Sequence, residues 1–283
     1  MILLSWVLIS LLATPSLTRQ VPPQLRTAYN TIKSRDKCKT PLAKGFHSSD
    51  NDKGGFTYCA DHLQSNQILY LRGSSHQLTN MDIDCDGDAS TPFTNDTRCR
   101  SSLDTQSQTT FRDQLLPYGI PDLNANIHTY VVFGNTASKP GWPTFDPASH
   151  GIRPLSVMAV VCGQRLVYGI WGDTNGDDGE NPMVGEASIS LATACYGDSV
   201  HGDRGHDEND VLYLAFPGEA AVPGPDGAAW NASDSQEFER SLEPIGHRLV
   251  SGIGDVSAGR KLGVPRAAGR LLVAGVTLAG LAV

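Results

Sequence analysis

The chain runs to 283 residues, 40% of them apolar, with a formal charge of −8 and a pI near 5.4. That length and apolar content allow one large or two small packed domains. The acidic balance excludes nucleic acid as a partner, because phosphate polymers need a basic face.

The chain opens with MILLSWVLISLLATPSLT, an apolar run from Ile2 to Ala13 followed by small and turn-forming residues. Residues 1–18 read as a secretory signal, cleaved near Ser16 or Thr18 and too short to span a bilayer comfortably. Next, Leu25, Ala28, Tyr29 and Ile32 stand at i, i+3, i+4, i+7, one face of a short helix that proline opens. Beyond Thr57, short apolar runs broken by Gly, Asp and Asn predict strands at Ile68–Leu71, Tyr130–Phe133, Leu155–Cys162, Leu166–Trp171, Ala187–Ala192 and Val211–Phe216. Helical spacing returns with Phe238, Leu242, Ile245 and Leu249, opened by a capping box of Ser233 and Gln236 and kinked or split at Pro244. Residues 256–283 are a polar spacer and an apolar tail, LLVAGVTLAGLAV. With the small triplet Ser257-Ala258-Gly259, that order fits a GPI-attachment signal.

Six cysteines, Cys38, Cys59, Cys85, Cys99, Cys162 and Cys195, are the even number expected of disulfides in a secreted chain. If all pair, fifteen connectivities are open. No CxxC occurs, so zinc and thioredoxin chemistry fit poorly. Asn95-Asp96-Thr97 and Asn231-Ala232-Ser233 are N-glycosylation sequons at Asn95 and Asn231.

Between Ile170 and Asp210, ten carboxyl side chains face one cation, Arg204. Such a stretch attracts a cation or a cationic polymer; a solvated loop is the plainer alternative. For calcium, Asp82, Asp84, Asp86 and Gly87 begin an EF-hand order, but the twelfth position is Phe93 instead of Glu. Asp173, Asn175 and Asp177 fail likewise, with Asp178 sixth and Val184 twelfth. Another kind of calcium loop stays open. For chemistry, Asp173 follows the strand VYGIWG and Glu186 opens the next. Carboxylates at adjacent strand ends could form the acid and base of glycosidic hydrolysis. Simple turn composition explains Asp177, Asp178 and Glu180 well, and Glu186 poorly. His201 and His206 lack a metal spacing and read as surface loop. Tyr168, Trp171, Trp142 and Trp230 could stack on sugars, against a default of burial.

YGIWGDTNG followed by VGEASISLATACYG resembles the fungal chitosanases of glycoside hydrolase family seventy-five. So do NMDIDCDG (80–87), QTTFRD (108–113), YVVFGN (130–135), HGIRPLSVMAVVC (150–162) and GHDENDVLYLAF (205–216), in order, over roughly residues 30 to 252. The resemblance implies that Asp173 and Glu186 are the catalytic pair of an inverting enzyme with no organic cofactor and no metal. The linker DDGENPMV is more acidic than that family's pattern. The implied substrate is chitosan, a cationic glucosamine polymer suited to an acidic cleft. Asp84, Asp177, Asp178 or Glu180 would meet its ammonium groups, with Trp171 and Tyr168 against its rings. Glu186 is assigned the acid, raised by its apolar strand, and Asp173 the base, kept hydrated and ionised by its Gly/Asn loop.

The expected fold is mainly β: a single domain over residues 19–255, a six-stranded, double-psi-like barrel with peripheral helices near both ends. The expected protein is a secreted monomer, touching membrane only through a GPI anchor. The competing expectation is a calcium-stabilised carbohydrate-binding or wall-structural module without catalysis.

Overall fold

The computed structural model describes residues 19–49, 51–88, 96–103, 105–176, 179–254 and 256. The leader, the C-terminal tail, Asn95, Asp177 and Asp178 lie outside the described residues. Ten strands are present: β1 Arg19–Gln20, β2 Pro41–Phe46, β3 Phe56–Cys59, β4 Leu69–Arg72, β5 Thr79–Asp84, β6 Tyr130–Asn135, β7 Val157–Cys162, β8 Arg165–Asn175, β9 Glu186–Ser188 and β10 His206–Ala215. The α-helices are α1 Pro23–Lys33, α2 Leu63–Asn66, α3 Arg112–Leu115, α4 Ile189–Tyr196, α5 Ser235–Ser241 and α6 Glu243–Ser251.

Six strands close into a barrel in the order β5, β9, β6, β8, β7, β10 and back to β5. Two pairs, β5 with β9 and β6 with β8, are parallel; the other four contacts are antiparallel. Closure leaves the barrel strands without free edges. β4, β3 and β2 extend outward from β10, and β1 adds to β8. The expected six-stranded barrel is therefore present.

Residue chemistry explains the elements. β7, VMAVVC, is buried throughout because one side faces the barrel interior and α6 packs on it. α1 buries Leu25, Ala28, Tyr29 and Ile32, the stripe its spacing predicts. Its C-terminal end is closed by the fully buried Arg72, which donates to the carbonyls of Ile32 (2.9 Å), Arg35 (2.6 Å) and Asp36 (3.2 Å). A cation there also complements the helix dipole. Pro244 splits the C-terminal helix into α5 and α6, as expected. Cys38–Cys59, Cys85–Cys99 and Cys162–Cys195 pair in chain order.

Two local expectations are corrected. Ala187–Ala192 is not a strand: β9 stops at Ser188, whose Oγ accepts from the Leu191 N–H (3.3 Å) and caps α4. The run alternates polar and apolar residues, yet it is buried almost all round, so neither period could decide it. The cap of α5 is Asp234, not Ser233. Asp234 accepts from the Glu237 N–H (2.9 Å), while Glu237 accepts from the N–H and hydroxyl of Ser233.

One irregularity aims a key side chain. Along β8, Trp171 pairs with Val131 and Asp173 with Val132, so Gly172 is an extra residue, a β-bulge. Residues two apart on a regular strand share a face; the bulge instead turns Asp173 away from Trp171. A Cβ on Gly172 would lie 2.5 Å from Cβ of Tyr130. Gly172→Ala should therefore cost about 1–3 kcal/mol as overpacking. Urea denaturation would read it as a lower midpoint at unchanged slope, and an unchanged midpoint would contradict the tight fit.

Candidate active site

Across the barrel wall, Asp82 of β5, Glu186 of β9, Val132 of β6 and Asp173 of β8 stand in one register row. Paired residues of neighbouring strands point to one side, so these side chains project together. Asp84, two residues beyond Asp82, shares that face. They floor a cleft of about 750 Å³, with Asp86 beside them and Asp203, Arg204 and Asp207 on a wall. The entry to β9 is fixed by Gly185, whose φ is +99° and whose added Cβ would sit 2.4 Å from Oδ1 of Asn80. Its carbonyl accepts from the Asp82 N–H at 2.8 Å. Glu186 is thus mounted on rigid backbone.

Asp173 is only 5% exposed. Its Oδ1 accepts from the Thr110 N–H (2.9 Å), the Thr110 hydroxyl (2.5 Å) and the Thr174 N–H (2.7 Å). Burial raises its pKa, and those donors pull against the rise. The expectation of a hydrated Asp173 is corrected: three protein donors stand where water would have been.

Asp84, Asp86 and Asp173 bring carboxylate oxygens within 4.8 Å of one another. Each already accepts from a backbone donor: Asp84 from the Asp86 N–H (2.7 Å), Asp86 from the Gln106 N–H (2.6 Å) and Asp173 as above. Enclosure pushes the Asp84 pKa well above 3.8, and the charges of Asp86, Asp173 and Glu186 add to it. A proton on Asp84 relieves that repulsion. Beneath the cluster, the Tyr130 hydroxyl donates to the Asp86 carbonyl (3.1 Å). Among the described residues, no other carboxylate, imidazole or thiolate trio is spaced closely enough to share an ion.

Of the residues singled out in sequence, Asp173, Glu186 and Asp84 meet in the cleft. Trp171 and Tyr168 do not. Trp171 is 3% exposed, packs edge-on against Phe111 and donates its indole N–H to the Asp173 carbonyl (2.9 Å). Tyr168 is 1% exposed, beneath the Arg19 guanidinium and against Gly246 of α6. Neither can stack on a sugar. Trp230 is buried as well, and Trp142 sits under Lys139 outside the cleft. Glu180 is exposed and outside the cleft lining. The His201 stretch forms a turn on the cleft wall: His201 pairs with Asp203, while His206 meets Glu208 (3.2 Å) and Asp210 (2.8 Å). Sequence reasoning missed Thr110, which no spacing rule connects to Asp173, and the cleft position of Asp82, visible only once β5 pairs with β9.

The profile of the fungal chitosanases of glycosyl hydrolase group 75 matches residues 81–252. An endo-chitosanase of Aspergillus fumigatus is 44% identical over 252 residues, 88% of this chain and 98% of its own length. Endo-chitosanase B of Aspergillus oryzae is 41% identical with the same coverage, 88% and 98%. Endo-chitosanase C of Aspergillus oryzae is 29% identical over 178 residues, 62% of this chain and 39% of its own.

A carboxyl whose folded pKa is raised binds its proton more tightly folded than unfolded. Asp84 therefore costs stability as pH rises from 3.8 toward its folded value. Asp84→Asn should melt higher than wild type at pH 7, with the gap closing below about pH 4. Thermal melts across that range check it; an equal gap at every pH would contradict the raised pKa.

Proposed function

The chain belongs to the fungal chitosanases of glycosyl hydrolase group 75, and we propose that it is an endo-acting hydrolase of the β-1,4 bonds between glucosamine units of chitosan. The observation that carries the mechanism is the register row, with Asp173 and Glu186 on either side of Val132 at the cleft floor.

In this reading the Glu186 carboxyl gives its proton to the glycosidic oxygen as the bond to the anomeric carbon breaks. The Asp173 carboxylate takes a proton from a water, whose oxygen attacks that carbon from the opposite face. One chain leaves with a new hydroxyl and the other with a hemiacetal end. Asp173 finishes protonated and Glu186 ionised, and solvent resets both. Two strand spacings, about 4.8 Å each, put the two Cα atoms about 9–10 Å apart. That leaves room for the roughly 6.5–9.5 Å carboxyl separation of inverting enzymes. Burial raises the Asp173 pKa, and its three donors oppose that rise by favouring the ionised form that a base needs.

Asp82, Asp86, Asp203 and Asp207 give the cleft a negative field that a protonated glucosamine chain would enter favourably. The apolar leader and three disulfides support secretion, with residues 19–255 as the mature catalytic domain. We place glycans at Asn95 and at the exposed Asn231, treat the spacer and tail of residues 256–283 as a GPI-attachment signal, and expect a monomer.

Wild-type protein should collapse the viscosity of soluble chitosan and release reducing ends. Asp173→Asn and Glu186→Gln, folded by circular dichroism, should each lose about 10²–10⁴-fold in kcat. Chitosan bound by folded wild type without new reducing ends would return the binding-module reading. Proton NMR of fresh product should show the α-anomer first; β first would overturn inversion.

A further inference from the structure

We propose that Thr110 is a positioning residue: it fastens one oxygen of Asp173 and so assigns the other to the attacking water. This deepens the reading of Asp173 as general base and rests on it. Thr110 donates twice to Oδ1, through its N–H at 2.9 Å and its hydroxyl at 2.5 Å, and the Thr174 N–H adds a third bond at 2.7 Å. The hydroxyl has a second acceptor, the Thr174 carbonyl, but that lies at 3.5 Å, so the carboxylate takes it. Among the described residues no donor reaches Oδ2, and three on one oxygen leave Oδ2 as the more basic.

The mount is rigid. Thr109 gives its N–H (2.9 Å) and hydroxyl (2.6 Å) to Asp122, which is itself 5% exposed. The Gln106 N–H binds Asp86 (2.6 Å), and the Gln106 carbonyl accepts from Gly87 (3.1 Å). Thr110 thus directly follows a segment anchored to two aspartates, and it lines the cleft. The indole of Trp171 holds the Asp173 backbone from behind. Chain on one side and loop on the other leave the carboxylate little rotational freedom, which is what a base aimed at one water needs.

The titratable groups around Asp173 are Asp84 at the end of β5, Asp86 just beyond it, Asp122 on the loop before β6, Glu186 of β9 and the neutral Tyr130 phenol of β6. The acids all disfavour an ionised Asp173, and the Thr110 hydroxyl opposes them. Removing it should move the acidic limb of the kcat profile to higher pH, because the base must be ionised to work.

The experiment compares wild type, Thr110→Val, Thr110→Ser and Asp173→Asn on soluble chitosan from pH 3 to 8, with thermal melts of each. Thr110→Val keeps the N–H but loses the hydroxyl. Its kcat should fall about 10–100-fold with KM within about twofold, the acidic limb shifting upward. Thr110→Ser should restore both. A Thr110→Val enzyme with wild-type kcat and pH profile would overturn the proposal. So would a Thr110→Ser enzyme as impaired as Thr110→Val, because Ser keeps the hydroxyl whose loss is held to cause the defect. An active Asp173→Asn would instead sink the general-base reading itself.

Discussion

The arrangement on which the site depends is the pairing of one strand with two others of opposite sense. β6 runs parallel to β8 and antiparallel to β9, and Val132 is the partner of Asp173 on one side and of Glu186 on the other. Because side chains alternate, a one-residue slip in either ladder would send one carboxylate to the far face. Closure of the barrel makes such a slip expensive, since every barrel strand is held on both flanks. The bulge at Gly172 is the local correction that makes the pairing productive, giving Trp171 to the core and Asp173 to the cleft. The floor therefore holds its carboxyls on backbone that is hydrogen-bonded from both sides.

Packing acids this densely against a core has a cost, and the protein meets it in different ways. Asp122 and Asp173 receive hydroxyl and amide donors from consecutive threonines, Thr109 and Thr110. Asp84 lacks such a set, and enclosure with three neighbouring carboxylates raises its pKa, so it holds a proton to higher pH than a free carboxyl does. Glu239, far from the cleft, is buried with Arg19 as its partner and with the Tyr168 N–H donating to it (3.0 Å). Donors, protons and counter-ions are three answers to one desolvation problem. Which one a carboxyl receives decides whether it is ionised, and so what it can do.

Much of this was legible in the chain. The α1 stripe, the apolar runs of β4, β6, β7, β8 and β10 and the Pro244 break each follow a local rule that needs no knowledge of the partner. Asp173 and Glu186 stood out because a turn-rich acidic loop joins two apolar runs. The strands β2, β3 and β5 were hidden: PLAKGF and TNMDID are too polar to read as strands, and pairing with neighbours makes them so. α4 was hidden for the opposite reason, since a helix buried nearly all round carries no amphipathic period. Thr110 was invisible because it reaches Asp173 across 63 residues of chain through the fold alone. The aromatic residues next to the motif misled, because whether Trp171 faces sugar or core is decided by one inserted glycine.

A cationic substrate sharpens the demand on this cluster. Ammonium groups entering the cleft stabilise ionised carboxylates and so draw protons away from it. General acid catalysis needs at least one carboxyl to keep its proton in that setting. Mutual repulsion among Asp84, Asp86 and Asp173 works in the opposite sense, since each added charge makes the next ionisation harder. The acids thus have two roles that a scattered acidic surface could not combine. Those on the wall, Asp203 and Asp207, face the cleft where they can attract the polymer, and hydrogen bonds from Ser101 and His201 hold the Asp203 carboxyl below its usual range. Those on the floor are crowded, and burial and repulsion make Asp84 and Asp173 harder to ionise. In the proposed reaction the same residue type would draw the substrate in and retain protons for its cleavage, with spacing along and across the strands separating the two tasks.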